Sequence, residues 1–174
     1  MQERFKQIVK SGFERKIVTD ELWQKHLDGE PPALGIIPIN ENNQCKWGCI
    51  DIDIYNLDHK KLIQKIHKNN LPMVVFRSKS GGAHVFIFVK EFVSAKLMRI
   101  KLKAIADLLG YQSSEIFPKQ DEVLVKEGHL GSFLNLPYHG GIKSMRYALN
   151  ENGDALQLEE FIELYDRVSL TEVS

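Results

Sequence analysis

Apolar residues at helical spacing, followed by shorter apolar runs, predict a mixture of helices and strands along this chain. The N-terminal part predicts two short helices within residues 2–27, the second capped by Thr19 and Asp20. The residues that set this spacing are Phe5, Ile8, Val9 and Phe13, followed by Leu22, Trp23 and Leu27. Pro31 and Pro32 should end the helical region.

Polar residues at 40–44 interrupt an apolar stretch and predict a turn between two strands. The strands should cover residues 33–39 and 46–55 and pair as a hairpin. A helical pattern follows at 58–69, with its apolar residues on one face.

A second hairpin is predicted from the apolar runs at 73–77 and 84–89, which flank a turn rich in serine and glycine. The pattern at 94–109 then predicts a long helix that ends at Gly110, a residue suited to the left-handed conformation after a helix.

The rest of the chain predicts short strands and a final helix. The apolar segments are 116–117, 133–136 and 145–149 for the strands, and 158–168 for the helix. The fold class is therefore α/β or α+β, with helices packed mainly on one face of a sheet. A chain of 174 residues has the usual length of one domain, which we expect to comprise N-terminal helices in residues 1–30 and a core in residues 33–168.

The composition mainly excludes classes of protein and kinds of site. Hydrophobic residues make up 43% of the chain and no apolar run could span a bilayer, so no membrane partner is expected. The N-terminal residues lack the apolar core of a signal peptide, which favours a cytoplasmic protein. The 23 basic and 23 acidic residues balance, so any contact with nucleic acid must come from local patches. Cys45 and Cys49 lack the further Cys or His pair of a zinc site, and no zinc is expected.

Two acids interrupt the apolar run of one predicted strand. Asp51 and Asp53 stand two positions apart, so their side chains point to the same face. The residues expected to enter the core are Ile50, Ile52 and Ile54. Carboxylates this close repel each other, and a hard divalent cation such as magnesium would offset the repulsion. A solvated edge strand with each acid paired to a lysine would have the same pattern.

A glycine turn with polar side chains joins the strands of the second hairpin. Gly81 and Gly82 permit positive φ, which lets backbone N–H groups face an anion such as a phosphate. The side chains that add donors are Arg77, Lys79, Ser80 and, just beyond the turn, His84. A tight polar hairpin with a surface histidine is the alternative interpretation.

Together the two motifs are more specific than either one alone. An Asp-x-Asp strand, a helix and the segment Arg-Ser-Lys-Ser-Gly-Gly-Ala-His at 77–84 resemble the first two motifs of the archaeo-eukaryotic primase superfamily. Within it, the chain resembles primase-polymerase domains of phages and of TOTE-type conflict systems. Glu-Ile-Phe-Pro-Lys-Gln at 115–120 is similar to the third motif of that branch, and Gly-Ser-Phe-Leu-Asn-Leu-Pro-Tyr at 131–138 to the segment that follows it.

The resemblance implies an RRM-like mixed or antiparallel sheet flanked by helices, and a two-metal nucleotidyltransferase that uses Mg²⁺ or Mn²⁺. The implied metal ligands are Asp51, Asp53 and Glu115. Asp121 lies close enough in sequence to compete with Glu115 as the third acid.

The resemblance also implies a nucleotide site. The residues expected to hold the triphosphate are Arg77, Lys79, Ser80, Gly81, Gly82 and His84, the last with a catalytic role. Lys119 and Arg146 are candidates for further phosphate or template contacts, and Asn135 for orienting the sugar.

The implied partners are a single-stranded DNA template, a primer and dNTPs or NTPs, in a bacterial cell or a phage-infected host. A helicase, in trans or on a longer parent chain, is a further possible partner. A metal-dependent nuclease or phosphodiesterase would also use clustered acids and a histidine, but has less use for a glycine turn that cradles a triphosphate. A catalytically silent nucleic-acid-binding module is the third hypothesis, and the intact acids and His84 argue against it.

Overall fold

The computed structural model describes residues 4–9 and 12–171, with the backbone alone at 4–9 and 12–17. The strands are β1 (Arg4–Val9), β2 (Gly12–Ile17), β3 (Leu34–Ile36), β4 (Gln44–Ile52), β5 (Val74–Arg77), β6 (Ala83–Ser94), β7 (Glu115–Phe117) and β8 (Leu134–Asn135). The α-helices are α1 (Asp20–Asp28), α2 (His59–Lys68), α3 (Ala95–Leu109) and α4 (Leu158–Val168). Short 3-10 turns occur at Val125–Glu127 and Gly141–Lys143.

The strands form two four-stranded sheets. The central sheet has the order β5-β6-β4-β7, and the second sheet has the order β2-β1-β3-β8. Every neighbouring pair in both sheets is antiparallel. The predicted α+β class with an antiparallel sheet and flanking helices is confirmed.

Strand β4 fixes the register of the central sheet because its two faces enter different cores. Ile50 and Ile52 have no exposed surface and pack in a cluster with residues of α2 and α3, each contributing about 1.5–3 kcal/mol by burial. Cys49 faces a second cluster that includes Phe161 of α4. A slip of one residue would bring Asp51 into the first of these cores, so packing holds Asp51 on the other face.

Helices cover both faces of the central sheet. Residues of α2 and α3 pack in the cluster with Ile50, whereas those of α4 pack in the aromatic cluster on the other side. The expectation that helices pack mainly on one face is therefore wrong for α4, which covers the aromatic side chains of β5 and β6. None of the described helices is long and apolar enough to cross a membrane.

The predicted helix boundaries agree closely with the structure where local capping signals exist. The Thr19 hydroxyl oxygen accepts from Leu22 N at the start of α1, and Ser94 caps α3 in the same way. Gly110 follows α3 with φ of 83°. These contacts provide hydrogen bonds for backbone groups that are unpaired at a helix end.

The first predicted helix is wrong, because Arg4–Val9 and Gly12–Ile17 form the antiparallel strands β1 and β2. The apolar residues at 5, 8, 9 and 13 fit helical spacing, but β1 also pairs with β3, where Phe5 lies opposite Ile36. This pairing with a distant strand outweighs the weak local preference for a helix. Of the predicted N-terminal helices, α1 alone is observed in the described residues.

Three other strand predictions need correction. The segments at 33–39 and 46–55 do not form a hairpin, because β3 belongs to the second sheet and β4 to the central one. Strand β4 ends at Ile52, so Ile54 lies beyond the core and is 44% exposed. Residues 145–149 make isolated bridges at Ala148 and Leu149 rather than a strand.

Candidate active site

Three neighbouring strands bring an acid, a histidine and a second acid into one row. Asp51 on β4 lies opposite His84 on β6 and opposite Glu115 on β7, and directly opposed residues share a face of the sheet. His84 Nε2 is 3.3 Å from Asp51 Oδ1, and both side chains are largely buried. The carboxylate therefore orients the imidazole and favours a proton on Nε2.

Asp53 is tied to the glycine turn rather than to the sheet. The Ser80 hydroxyl donates to Asp53 Oδ1 at 3.2 Å, and Ser78 Oγ lies 3.2 Å from Ser80 Oγ. Ser78 is 6% exposed. It belongs to the quoted motif at 77–84, but the sequence alone assigned it no role because nothing in the motif distinguishes it from its neighbours.

The glycine turn packs closely against the end of β4. A Cβ on Gly82 would collide with the carbonyl oxygen of Ile52, whereas Gly81 needs glycine for its φ of 89°. Ser78 N donates to Gly82 O and closes the turn. The N–H groups of Lys79 and Ser80 have no partner in the described part of the chain, so they are available to an anion.

These residues line one side of a cavity of about 450 Å³. The side that we call the hairpin wall consists of Asp51, Asp53, Ser78, Lys79, Ser80 and His84. The remaining lining residues, Asn135 and Arg146, form what we call the loop wall. The volume is in the range of small-molecule sites, and the cavity presents two acids together with cationic groups from both walls.

Both residues of the loop wall have unused binding capacity. Asn135 Oδ1 is buried without a hydrogen-bond partner in the described residues. No carboxylate of the described chain lies within ion-pair distance of Arg146, and burial lowers the pKa of its guanidinium. A partly buried cation without a carboxylate is costly, and an anionic ligand in the cavity would offset that cost.

A buried histidine whose helical position predicts exposure to solvent supports the loop wall. His26 on α1 has no exposed surface, and its Nε2 donates to Pro137 O at 2.8 Å while Nδ1 accepts from Leu34 N at 3.0 Å. Burial lowers the pKa of His26. Only the neutral ring can make both bonds, so His26 acts as an uncharged link between α1, β3 and the loop after Asn135.

Tyr138 supports the same loop from the other side. Its φ is 60° and it is 4% exposed. The hydroxyl donates to Leu156 O and accepts from Ala148 N, while Tyr138 N donates to Arg146 O at 2.7 Å. Burial raises the pKa of Tyr138 to about 12. The buried, fully bonded hydroxyl makes Tyr138 a support for Arg146 rather than a nucleotide contact.

Five residues of the predicted site lie outside the cavity lining: Arg77, Gly81, Gly82, Glu115 and Lys119. The two glycines shape the turn. The Arg77 guanidinium donates to Ser78 O and to Met145 O at 2.9 Å, so it links the hairpin wall to the loop that leads to Arg146.

Glu115 lies opposite Asp51 in the strand register, but its carboxylate forms an ion pair with a lysine. Lys119 Nζ lies 2.8 Å from Glu115 Oε2, and both side chains are substantially exposed. Asp121, the competing third acid, forms an ion pair with Arg99 of α3. The register therefore favours Glu115 over Asp121 as the acid nearest to Asp51.

The described residues contain no group of three or more His, Cys, Asp or Glu side chains arranged to hold a metal ion. Asp51 and Asp53 nevertheless fit a magnesium-type ion, since such ions often take one or two protein carboxylates and complete their shell with water and substrate phosphates. Each aspartate uses Oδ1 in the contacts above, which leaves Oδ2 for a ligand. The donor set suits an ion shared with a bound polyphosphate.

Comparison with known proteins gives matches of two kinds. A family model described as "TOTE conflict system, Archaeo-Eukaryotic Primase domain" matches residues 2–167. The archaeo-eukaryotic primase domain of the cyanophage S-2L primase-polymerase superposes with a TM-score of 0.54 at 11% identity, over 94% of this chain and 88% of that chain. At this identity the superposition shows the fold alone. No curated protein matches the sequence.

Proposed function

This chain belongs to the family of archaeo-eukaryotic primase domains of TOTE conflict systems, and from that membership we propose that it joins nucleotides along a nucleic-acid template. Family membership supports nucleotidyl transfer in general. The finer proposal is a primase-polymerase that extends a primer on single-stranded DNA from dNTPs or NTPs. Such an enzyme would work in the cytoplasm of a bacterial cell or phage-infected host, with a helicase as a possible partner.

One observation carries the proposal: two carboxylates and two cationic side chains line a single cavity. Asp51 and Asp53 on the hairpin wall suit a divalent ion, and Arg146 on the loop wall suits a phosphate. A nucleoside triphosphate chelated to a metal combines both charges in one ligand. A nuclease substrate has one phosphate at the scissile bond, so the metal site and the separate phosphate site on Arg146 would not both be needed.

The chain's own residues would bind and orient the nucleotide. The free N–H groups of Lys79 and Ser80 would donate to phosphate oxygens, and the Lys79 ammonium would add charge at the cavity mouth. His84, held through Nε2 by Asp51, would donate to a phosphate oxygen when the ligand replaces that contact. Asn135 Oδ1 would accept from a hydroxyl of the sugar.

The proposed metal ligands are Asp51 and Asp53, with Glu115 as the third acid. A bound Mg²⁺ or Mn²⁺ would supply positive charge at the reacting phosphate. Glu115 would join the other acids only after its carboxylate leaves Lys119, and this is an inexpensive step because an exposed ion pair contributes at most about 1 kcal/mol.

The experiment is primer extension by the purified protein with Mn²⁺, a labelled primer on a single-stranded template and all four dNTPs or NTPs. Asp51→Asn and Asp53→Asn keep the side-chain volume but remove the charge. We expect lengthened primers from the wild type and a loss of at least about 10³-fold in rate for each variant, since metal charge stabilisation is worth several kcal/mol.

Two further variants control the experiment. Glu115→Gln should also reduce the rate, whereas Asp121→Asn should leave it within about twofold, because Asp121 is held by Arg99 outside the cavity. Shortened nucleic acid in place of lengthened primer would assign a nuclease. Absence of product together with intact nucleotide binding would assign a silent binding module.

A further inference from the structure

Helix α3 has two apolar faces, of which the core uses one. The inner face packs in the core through Met98, Leu102, Ile105 and Leu109. The outer face presents Leu97, Ile100 and Leu108, which are 41%, 58% and 56% exposed, and the exposed Ala104. We call these four residues the outer stripe. Their spacing of three, four and four residues places them in one line along the helix.

The outer stripe is unusual within this protein. Helix α2 packs against the same cluster, but its apolar residues Leu62, Ile63 and Ile66 are all buried, and exposed polar residues fill most of its remaining positions. An ordinary amphipathic helix needs one apolar stripe. A second, exposed stripe is typical of a helix that binds another surface.

Lysines border the outer stripe on both sides. In heptad terms Leu97 and Ile100 take the a and d positions and Ala104 the next a, so Lys96 and Lys103 fall at g and Lys101 at e. The next d position is the exposed Asp107 and Leu108 falls at e, so the basic border covers the first part of the stripe. Lys96 and Lys103 are exposed. In coiled coils the e and g charges select the partner and its orientation. A second copy would place lysines opposite lysines, so the charges disfavour self-pairing and favour an acidic partner.

The outer stripe lies on the side of the central sheet remote from the cavity. Met98 and Leu102 contact the position of Gly48 on β4 from the face where Ile50 and Ile52 are buried. Asp51 and His84 point to the opposite face. A partner bound to the outer stripe would leave the cavity open to nucleotide and template.

We propose that the outer stripe of α3 binds an acidic amphipathic helix of a partner protein. The apolar side chains of that helix pack against Leu97, Ile100 and Leu108, and its flanking glutamates or aspartates pair with Lys96 and Lys103. The interaction does not depend on the proposed nucleotidyl transfer. It would attach the domain to another protein through the face opposite to its candidate active site.

The test uses two synthetic three-heptad peptides with Ile and Leu at a and d. One has Glu at every e and g position and the other has Lys, and binding of each labelled peptide to the full chain is followed by fluorescence anisotropy. We expect the Glu peptide to bind at least about tenfold more tightly than the Lys peptide. Added salt should reduce the difference.

Substitutions on the chain make the test specific. Lys96→Glu with Lys103→Glu should invert the preference, so that the Lys peptide binds better. Ile100→Ser with Leu108→Ser should remove binding of both peptides. The matched control is Lys60→Glu with Lys61→Glu, two exposed lysines of α2 without an apolar stripe, and it should bind as the wild type does. Thermal unfolding confirms that each variant is folded.

Three outcomes would overturn the proposal. The first is equal binding of the two peptides to the wild type. The second is a dimer of the unliganded chain in light scattering that Ile100→Ser with Leu108→Ser abolishes, because a second copy would then occupy the stripe. The third is cosedimentation with vesicles of phosphatidylserine and phosphatidylcholine that the same variant abolishes, because the stripe would then bind a lipid surface.

Discussion

The two walls of the cavity differ in how the chain builds them. The hairpin wall comes from β4, from the turn after β5 and from the first residues of β6, which are hydrogen-bonded neighbours in one sheet. The loop wall comes from the end of β8 in the second sheet and from a loop near Tyr138. It reaches its place through contacts with α1 and with the segment before α4.

The side chains of the hairpin wall are therefore positioned by strand pairing, whereas those of the loop wall are positioned by tertiary contacts. In the hairpin wall, strand pairing sets the distance between Asp51 and His84, so that a change must break the sheet to move them. In the loop wall, Arg146 O accepts from Tyr138 N. That loop is in turn held by Leu156, before α4, and by His26 of α1. We therefore expect substitutions in the hairpin wall to destabilise the fold, and substitutions in the loop wall to weaken ligand binding by smaller steps.

The largest effect should come from Gly82→Ala in the hairpin wall. The added Cβ would collide with Ile52 O, a backbone atom at the end of β4 that is held by the pairing of β4 with β6. We expect the free energy of unfolding to fall by about 2–4 kcal/mol. Chemical denaturation followed by circular dichroism measures this loss.

Gly81→Ala is the matched control for that substitution. Its Cβ would come no closer than 3.7 Å to the described atoms outside its neighbouring residues, and the cost is that of a φ of 89° in a residue with a side chain, about 1–2 kcal/mol. A loss for Gly81→Ala equal to or larger than that for Gly82→Ala would show that the turn does not depend on close packing against β4.

A smaller effect, on binding rather than folding, should come from Arg146→Ala in the loop wall. Charge-assisted hydrogen bonds contribute about 1.5–3 kcal/mol, so we expect nucleoside triphosphate to bind about 10- to 100-fold more weakly. Arg146→Lys should recover part of the affinity, because lysine keeps the charge but not the fork of donors. Isothermal titration calorimetry with a nonhydrolysable triphosphate and Mn²⁺ measures both.

The neighbouring Lys143 provides the control for Arg146. It is exposed on the same loop and does not line the cavity, so Lys143→Ala should change the affinity by less than about threefold. If both substitutions weaken binding equally, the loop attracts the ligand through its general charge, and Arg146 has no specific phosphate contact.

The sequence predicted the two walls to different extents, and the reason is the range of the contacts involved. Strand alternation is a local property, so the residues around Asp51 are sufficient to predict that its side chain lies on the face opposite to Ile50 and Ile52. Its place beside the glycine turn was implied by the family resemblance of the two motifs, because β4 and β6 are distant in sequence. The strand β1 depends on its pairing with β3, and no local spacing of Phe5 or Ile8 contains that information. His26 had the same limitation, since its helical position predicted exposure while its two partners are distant in sequence.

The smallest effect concerns His26 and appears as a pH dependence of stability. Because burial lowers the pKa of His26 below its ordinary value of 6.5, the unfolded chain binds the proton more readily than the folded chain does. The folded state is therefore fully favoured above about pH 6.5, and this contribution is lost as the pH falls from 6.5 towards the lowered pKa. His139, whose ring is 5.2 Å away, and Arg146 also disfavour the protonated ring.

We expect the free energy of unfolding of the wild type to fall between pH 7.5 and pH 5.5 by about 1.4 kcal/mol for each unit by which the pKa is lowered within that range. His26→Gln, which does not titrate and keeps an amide N–H that can donate to Pro137 O, should fall less over the same range. His67→Gln, at an exposed position on α2, should keep the wild-type slope. Equal slopes for all three proteins would mean that His26 takes up a proton without breaking its bonds, and the loop wall would then need another explanation for its position.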